Sequence, residues 1–230
     1  MQINADFTVR AVVHAARIPW VASPMPGVDR RMLDRIGAEV ARATSIVRYA
    51  PGSAFSAHVH SGGEEYLVLE GVFQDEHGDF PVGTYVRNPP QSSHTPRATQ
   101  GATILVKLWQ FDPDDRVAVT IDTHAQASVA LTDRPGVGVI PLHHDAREDV
   151  RIELWDADAD IVVEGHKGLE LLVLAGGFVE NGEPFETDSW LRLPVGHTLR
   201  AKSGPDGARI WVKSDHLATP PLVPVQISAR

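Results

Sequence analysis

The 230-residue chain contains no cysteine. Disulfides, thiolate zinc sites, iron–sulfur clusters and cysteine nucleophiles are thereby excluded. Long apolar runs are also missing: none approaches the ~20 residues a spanning helix needs. The start, Met1 to Phe7, has no basic segment leading into an apolar core, so no signal peptide is expected and a cytoplasmic location is. Positive charge is scarce, with 21 basic against 30 acidic residues and a formal charge of −9. Such a surface repels phosphate backbones and anionic lipid, so neither nucleic acid nor membrane is an expected partner. Sustained helical periodicity is rare as well.

What is present is ordinary globular composition, 43% hydrophobic and 22% charged, with 19 glycines and 17 prolines. That mixture favours many short strands joined by turns. A β-like run lies at Thr8–Val13. Val28–Ile36 reads as one or two helical turns. Strands are expected at Thr44–Tyr49, Glu65–Leu69, Thr84–Arg87 and Thr103–Phe111, then again at Val137–Pro141, Arg151–Trp155, Leu171–Leu174, Trp190–Leu193 and Ile210–Lys213. The second series repeats the first. Glu65 to Phe73 reappears as Glu170 to Phe178, and the same offset carries Tyr85 onto Trp190, Arg87 onto Arg192 and Pro89 onto Pro194. Further on, Gly101–Lys107 matches Gly207–Lys213. Two copies of one β unit follow, with a division near Pro113–Thr132 and lobes of 1–120 and 121–230.

The first copy holds a constellation suited to a metal. On a strand, residues i and i+2 share a face, so His58 and His60 project together. A turn at Ser61-Gly62-Gly63 can bring a carboxylate back beside them, and His94 arrives from a distant segment. Three imidazoles and a carboxylate suit one divalent transition metal, zinc or iron first, with manganese, nickel or copper as further fits. Calcium and magnesium prefer oxygen shells. Any one histidine is more often a surface or capping group than a ligand, and His14, His77, His124, His143, His144, His197 and His216 are read that way. Glu64 and Glu65 compete for the carboxylate role.

These residues resemble the cupin family. Its first motif is matched at Gly52, His58, His60, Glu64 and Gly71, and its second at Gly83, Pro89 and His94. The second motif departs at Gln91, where glycine is usual, and at Ala98, where asparagine is usual. The family spacing selects Glu64 over Glu65. The wording of Gly62–Glu76 and Tyr85–Pro90 is similar to the ChrR-type cupins, zinc-binding anti-sigma factors together with iron-dependent dioxygenases acting on β-diketones or hydroxyacetophenones. The resemblance implies an all-β fold of two tandem cupin barrels, each a double-stranded β-helix or jelly roll. It also implies a metal-dependent dioxygenase on a small dicarbonyl or phenolic ketone. The alternative is a metal-dependent sensor without the sigma-binding domain, whose ligands include cysteine. Tyr66, Val68, Arg87 and Trp109 are candidates to line a pocket.

Carried across the repeat, the four ligands become Val163, Gly165, Leu169 and Leu199, so the second lobe is expected to hold no metal. A one-residue slip would recruit Glu164, His166, Glu170 and His197, but it would turn every strand side chain over. Leu67 and Leu69 alternate with Tyr66 and Val68, making that strand apolar on both faces. Such a strand needs cover outside its own barrel, from the other lobe or from a second subunit, and a homodimer is expected.

Overall fold

A computed structural model describes residues 1–219 and 224 of the chain. Among these there is no α-helix; one 3-10 turn at Ala15–Arg17 interrupts an otherwise all-β chain. No helix is long and apolar enough to cross a membrane. The chain divides into two compact units. Met1–Ala5 and Pro19–His124 form one, and Asp6–Ile18 with Ala125–Pro220 form the other.

The first unit's main sheet runs Gln2–Ile3, Val28–Gly37, Ala41–Tyr49, Ala102–Leu108, Glu64–Asp75, Thr84–Asn88, Val119–Asp122. The second runs Val129–Ala130, Val137–His144, Asp149–Trp155, Leu199–Ser214, Leu169–Glu180, Ser189–Leu193, Ala11–His14. Both are antiparallel throughout. The likeness reaches single residues. Gly71 and Gly176, both at positive φ, each sit where an added Cβ would lie 2.2 Å from a carbonyl oxygen, of Gly101 and Gly207 respectively. Only glycine fits that approach. Tyr85 Oη donates to Glu65 Oε1 at 2.9 Å, and Trp190 Nε1 donates to Glu170 Oε1 at 2.8 Å. Buried carboxylates need such donors, so one polar solution serves both copies.

Every strand expected in the two series is present, most of them longer than read. The one read as Thr103–Phe111 is instead Ala102–Leu108 and ends where Trp109 turns to positive φ. The helical reading of Val28–Ile36 is overturned: Val28–Gly37 is a strand, paired from Val28↔Tyr49 to Gly37↔Ala41. Its register shifts between Met32 and Asp34. A bulge adds one residue and breaks the two-residue alternation. Val28, Met32 and Ile36 then fall at a four-residue spacing that imitates a helix face. The first part of the strand Glu64–Asp75 is buried on both faces, Tyr66 and Val68 at 1% exposure and Leu67 at 2%, whereas Leu69 is half-buried. It therefore does not itself call for a second subunit.

Each unit has its own apolar core. Val47, Tyr66, Val68, Phe73 and Ile104 belong to the first, and Leu169, Leu171, Phe178, Leu199 and Val212 to the second.

Candidate metal centre

His58 lies on the two-residue strand His58–Val59, which pairs with Ser93–His94 so that His58 and His94 are register partners. Cross-strand partners have neighbouring side chains, which explains how residues 36 positions apart in sequence meet. His60 follows His58 by two, and its backbone N–H donates to Ser92 O at 2.9 Å. The three rings stand edge to face, with centroids 5.1 Å (His58–His60), 5.0 Å (His58–His94) and 4.6 Å (His60–His94) apart. One nitrogen from each lies within 4.8 Å of the others, and among the described residues no other group of three or more potential ligands gathers this way.

Glu64 opens the strand Glu64–Asp75 and turns into the same space. Its Oε2 stands 3.4 Å from His60 Nε2 and 3.6 Å from His94 Nε2. Glu65 faces the other way, to the hydroxyl of Tyr85. The glycines before Glu64 are dictated by packing. A Cβ on Gly62 would lie 2.2 Å from the Trp109 ring, and one on Gly63 2.4 Å from Phe111. The two aromatics thus press the turn into place.

A metal needs ligand nitrogens that carry a free lone pair, held by partners on the far side of the ring. That condition is met here. His58 Nδ1 is 3.2 Å from Ser56 O, His60 Nδ1 is 3.0 Å from Ser92 Oγ, and His94 Nδ1 is 3.2 Å from Asp75 Oδ2. A carbonyl and a carboxylate only accept, so the Nδ1 of His58 and His94 donate, and their Nε2 atoms are left for a cation. The Nε2 of His60 is buried without a hydrogen-bond partner. Asn88 Nδ2 donates to Glu64 Oε2 at 3.3 Å and orients the carboxylate.

Electrostatics agree. Burial, reinforced by His58, pushes His60 down to about 4, so its ring is neutral at ordinary pH. Burial also lowers His94, against the opposing pull of Glu64 and Asp75. Glu64 is raised by burial, with His94 and Asn88 pulling the other way. Bringing a cation to this cluster would offset the desolvation that raises it.

The site borders a cavity of about 620 Å³ whose wall includes His58, His60 and Glu64. The remaining lining is largely apolar, with Val47, Tyr49, Phe55, Leu108 and Trp109. Of the four residues proposed from sequence as pocket lining, Trp109 is on this wall. Tyr66 and Val68 belong to the core beneath it. Arg87 is buried against Asp115 at 2.6 Å and over the Phe111 ring. Sequence reasoning missed Asp75, Ser92 and Asn88, the residues that hold His94, His60 and Glu64 in place. Only a contact map reveals them, because nothing in their spacing distinguishes them from turn residues.

The second unit places Val163 opposite Leu199 in register, where the first has His58 opposite His94. Leu169 and Leu199 are both fully buried in its core. The slipped alternative does not assemble: Glu164 is exposed beside Arg200, Glu170 is taken by Trp190 and His216, and His197 is exposed. Of the histidines read as ordinary, His14 meets Ser189 and Glu183, and His143 meets Asp145.

A search of curated proteins finds no sequence match. Among solved structures, a candidate dioxygenase from Nostoc punctiforme superposes with a TM-score of 0.73 at 15% identity, covering 96% of this chain and 88% of that one. A candidate glyoxylate-induced protein from Pseudomonas aeruginosa gives 0.72 at 15% identity, covering 95% and 92%. The salicylate 1,2-dioxygenase of Pseudoaminobacter salicylatoxidans, solved with gentisate, gives 0.61 at 11% identity, covering 90% and 81%. At such identities the likeness shows a cupin-type jelly-roll fold and no more. The family model described as the ChrR cupin-like domain matches residues 8–112. Over those residues, the chain is similar to the ChrR cupin-like family.

Proposed function

We propose that the chain is a tandem pair of cupin barrels whose first barrel binds one divalent transition metal through His58, His60, Glu64 and His94. We further propose that it uses the metal as a dioxygenase on a small dicarbonyl or phenolic ketone. The observation that carries this reading is the convergence of three outward-anchored imidazoles and a buried carboxylate, with His58, His60 and Glu64 on the wall of a largely apolar cavity. A bound divalent ion would supply Lewis acidity and, as iron, a path for electrons to dioxygen. The residues themselves do the positioning. Ser56, Ser92 and Asp75 fix the three rings, and Asn88 fixes the carboxylate. Tyr49, Phe55 and Trp109 offer apolar surface to a planar substrate and keep water from it.

The test is elemental analysis of protein purified without added metal, followed by oxygen uptake with β-diketones and hydroxyacetophenones. About one iron per chain with substrate-dependent oxygen consumption is expected. Zinc with no turnover on either substrate class would replace the enzyme with the metal-dependent sensor.

A further inference from the structure

The cavity beside the metal site contains a cation that the metal does not explain. Arg30 lines it, from the strand Val28–Gly37, alongside its register partner Val47 and its neighbour on the same strand face, Val28. Every other arginine of that strand is engaged. Arg31 lies 4.3 Å over the Trp20 ring, and Arg35 donates to the carbonyls of Ala38 and Glu39. Arg48 of the adjacent strand meets both Trp20 and Asp29. Arg30 makes no side-chain hydrogen bond or ion pair among the described residues, and its Nε is buried without a partner.

Arg30 is half-buried on a largely apolar wall, and its one desolvated donor, Nε, is costly unless something completes it. Core packing is a poor explanation, because an aliphatic side chain would fill the same wall without that cost. Among the described residues no carboxylate supplies the missing acceptor: Glu39 and Glu64 share the cavity wall, but neither pairs with Arg30. Arg35 is lowered first by burial and next by the proximity of Arg30, with the exposed Glu39 pulling the other way. A planar guanidinium fork matches a carboxylate in two parallel hydrogen bonds. One unmatched cation calls for one negative charge, and the cavity's apolar walls call for an apolar body attached to it.

We propose that Arg30 is the anion-binding residue of this cavity, and that its ligand is a monocarboxylate carried on an apolar, preferably aromatic, skeleton. This rests on the reading of the cavity as the substrate pocket, and it adds a carboxylate to the skeleton of the ketone proposed above. Glu64, raised by burial, and the exposed Glu39 are the acidic groups such a ligand would face.

The experiment is isothermal titration with 2-naphthoate and its uncharged isostere 2-naphthamide, on metal-loaded and on chelated protein. Wild type is expected to prefer the carboxylate by at least about tenfold in both states, the size of one charge-assisted interaction. Arg30→Met should abolish the preference in both states while leaving metal content unchanged, and Arg30→Lys should keep part of it. Equal affinity for the two probes, no binding of either, or a preference that survives in Arg30→Met overturns the proposal. Should Arg30→Met not fold, the Nε–H resonance of Arg30 in labelled wild-type protein decides. It should shift with naphthoate and not with naphthamide, and a resonance that ignores both overturns the assignment. The metal reading fails separately, if no ion is retained, because the carboxylate preference is also scored on chelated protein.

Discussion

At the position where the first unit sets His58 against His94, the second sets Val163 against Leu199, in the same register of the same strands. Glu64 has its counterpart in Leu169, and Asp75, which holds His94, in Glu180, which instead holds Arg10 at 2.6 Å. One backbone thus supports two interiors. In the first, polar groups face a cavity and forgo apolar contact. In the second, leucines fill the space and join the core. The buried Glu–aromatic pairs of Glu65 with Tyr85 and Glu170 with Trp190 survive in both, so they belong to the scaffold rather than to the site. The comparison separates what the fold requires from what the chemistry requires.

The sharpest way to test that separation is to remove a ligand. His94→Ala should lower metal affinity by at least about 100-fold, more than loss of an outer partner usually does, while the protein stays folded. Chelated wild type should likewise keep a strand-rich circular dichroism spectrum and melt cooperatively at a lower temperature, because a chain this long buries a core without a metal. A coil spectrum would show that the ion carries the fold.

The reciprocal change tests the filled unit. Leu199→His, which recreates one ligand position, should cost about 2–5 kcal/mol, read as a drop in chemical stability, by cutting apolar contact and burying an unpaired imidazole. A neutral result would mean that the second interior has room for polar groups, and the contrast between the units would collapse.

Asp75→Asn should weaken metal binding by roughly 10–100-fold with little change in melting temperature of the chelated protein. Asp75→Glu, the residue its counterpart carries, should recover part of that loss. Unchanged affinity in Asp75→Asn would reduce the Asp75–His94 contact to packing.

Acid should act on the first unit through His60. His60 is depressed to about 4 in the fold against an ordinary value of 6.5, so the unfolded chain binds more protons between these limits. Its contribution to stability is present above 6.5 and is lost as pH falls toward 4. Glu64, raised in the fold, has the opposite sign: its contribution is present below its ordinary range and is lost as pH rises. Chelated wild type should therefore melt at lower temperature as pH falls from 6.5 to 4, and His60→Gln should flatten that slope. An unaltered slope would place the acid sensitivity elsewhere.

The smallest effect concerns Gln91. The residue adopts φ 73°, the left-handed conformation that favours glycine. Gln91→Gly should stabilise by up to about 1 kcal/mol, since relief of the left-handed penalty is partly cancelled by a more flexible unfolded chain. Destabilisation in a denaturant melt would show that the Gln91 side chain contributes a contact that offsets its backbone.

Much of this was legible in the sequence because it rests on periodicities that local geometry enforces. The strands follow alternation and turn residues, and the duplication follows from a constant offset. The meeting of His58 with His60 follows from the pleat of a strand. What could not be read was whatever depends on a bulge or on a distant partner. The bulge near Leu33 disguised Val28–Gly37 as a helix, and with it the position of Arg30 in the cavity wall. Asp75 reaches His94 across 19 residues of chain, and Asn88 reaches Glu64 across 24, with no motif to announce either.

The strand Ala11–His14 completes the sheet of the second unit, where His14 reaches Ser189 across 175 residues of sequence. In synthesis this segment emerges about 175 residues before its partner strand Ser189–Leu193. Until then an edge-forming strand with apolar Val12 and Val13 must wait, open to mispairing. The long loop that finally closes makes this a late step, set by chain topology. A nascent chain halted before residue 189 would therefore carry the strand Ala11–His14 without its partner.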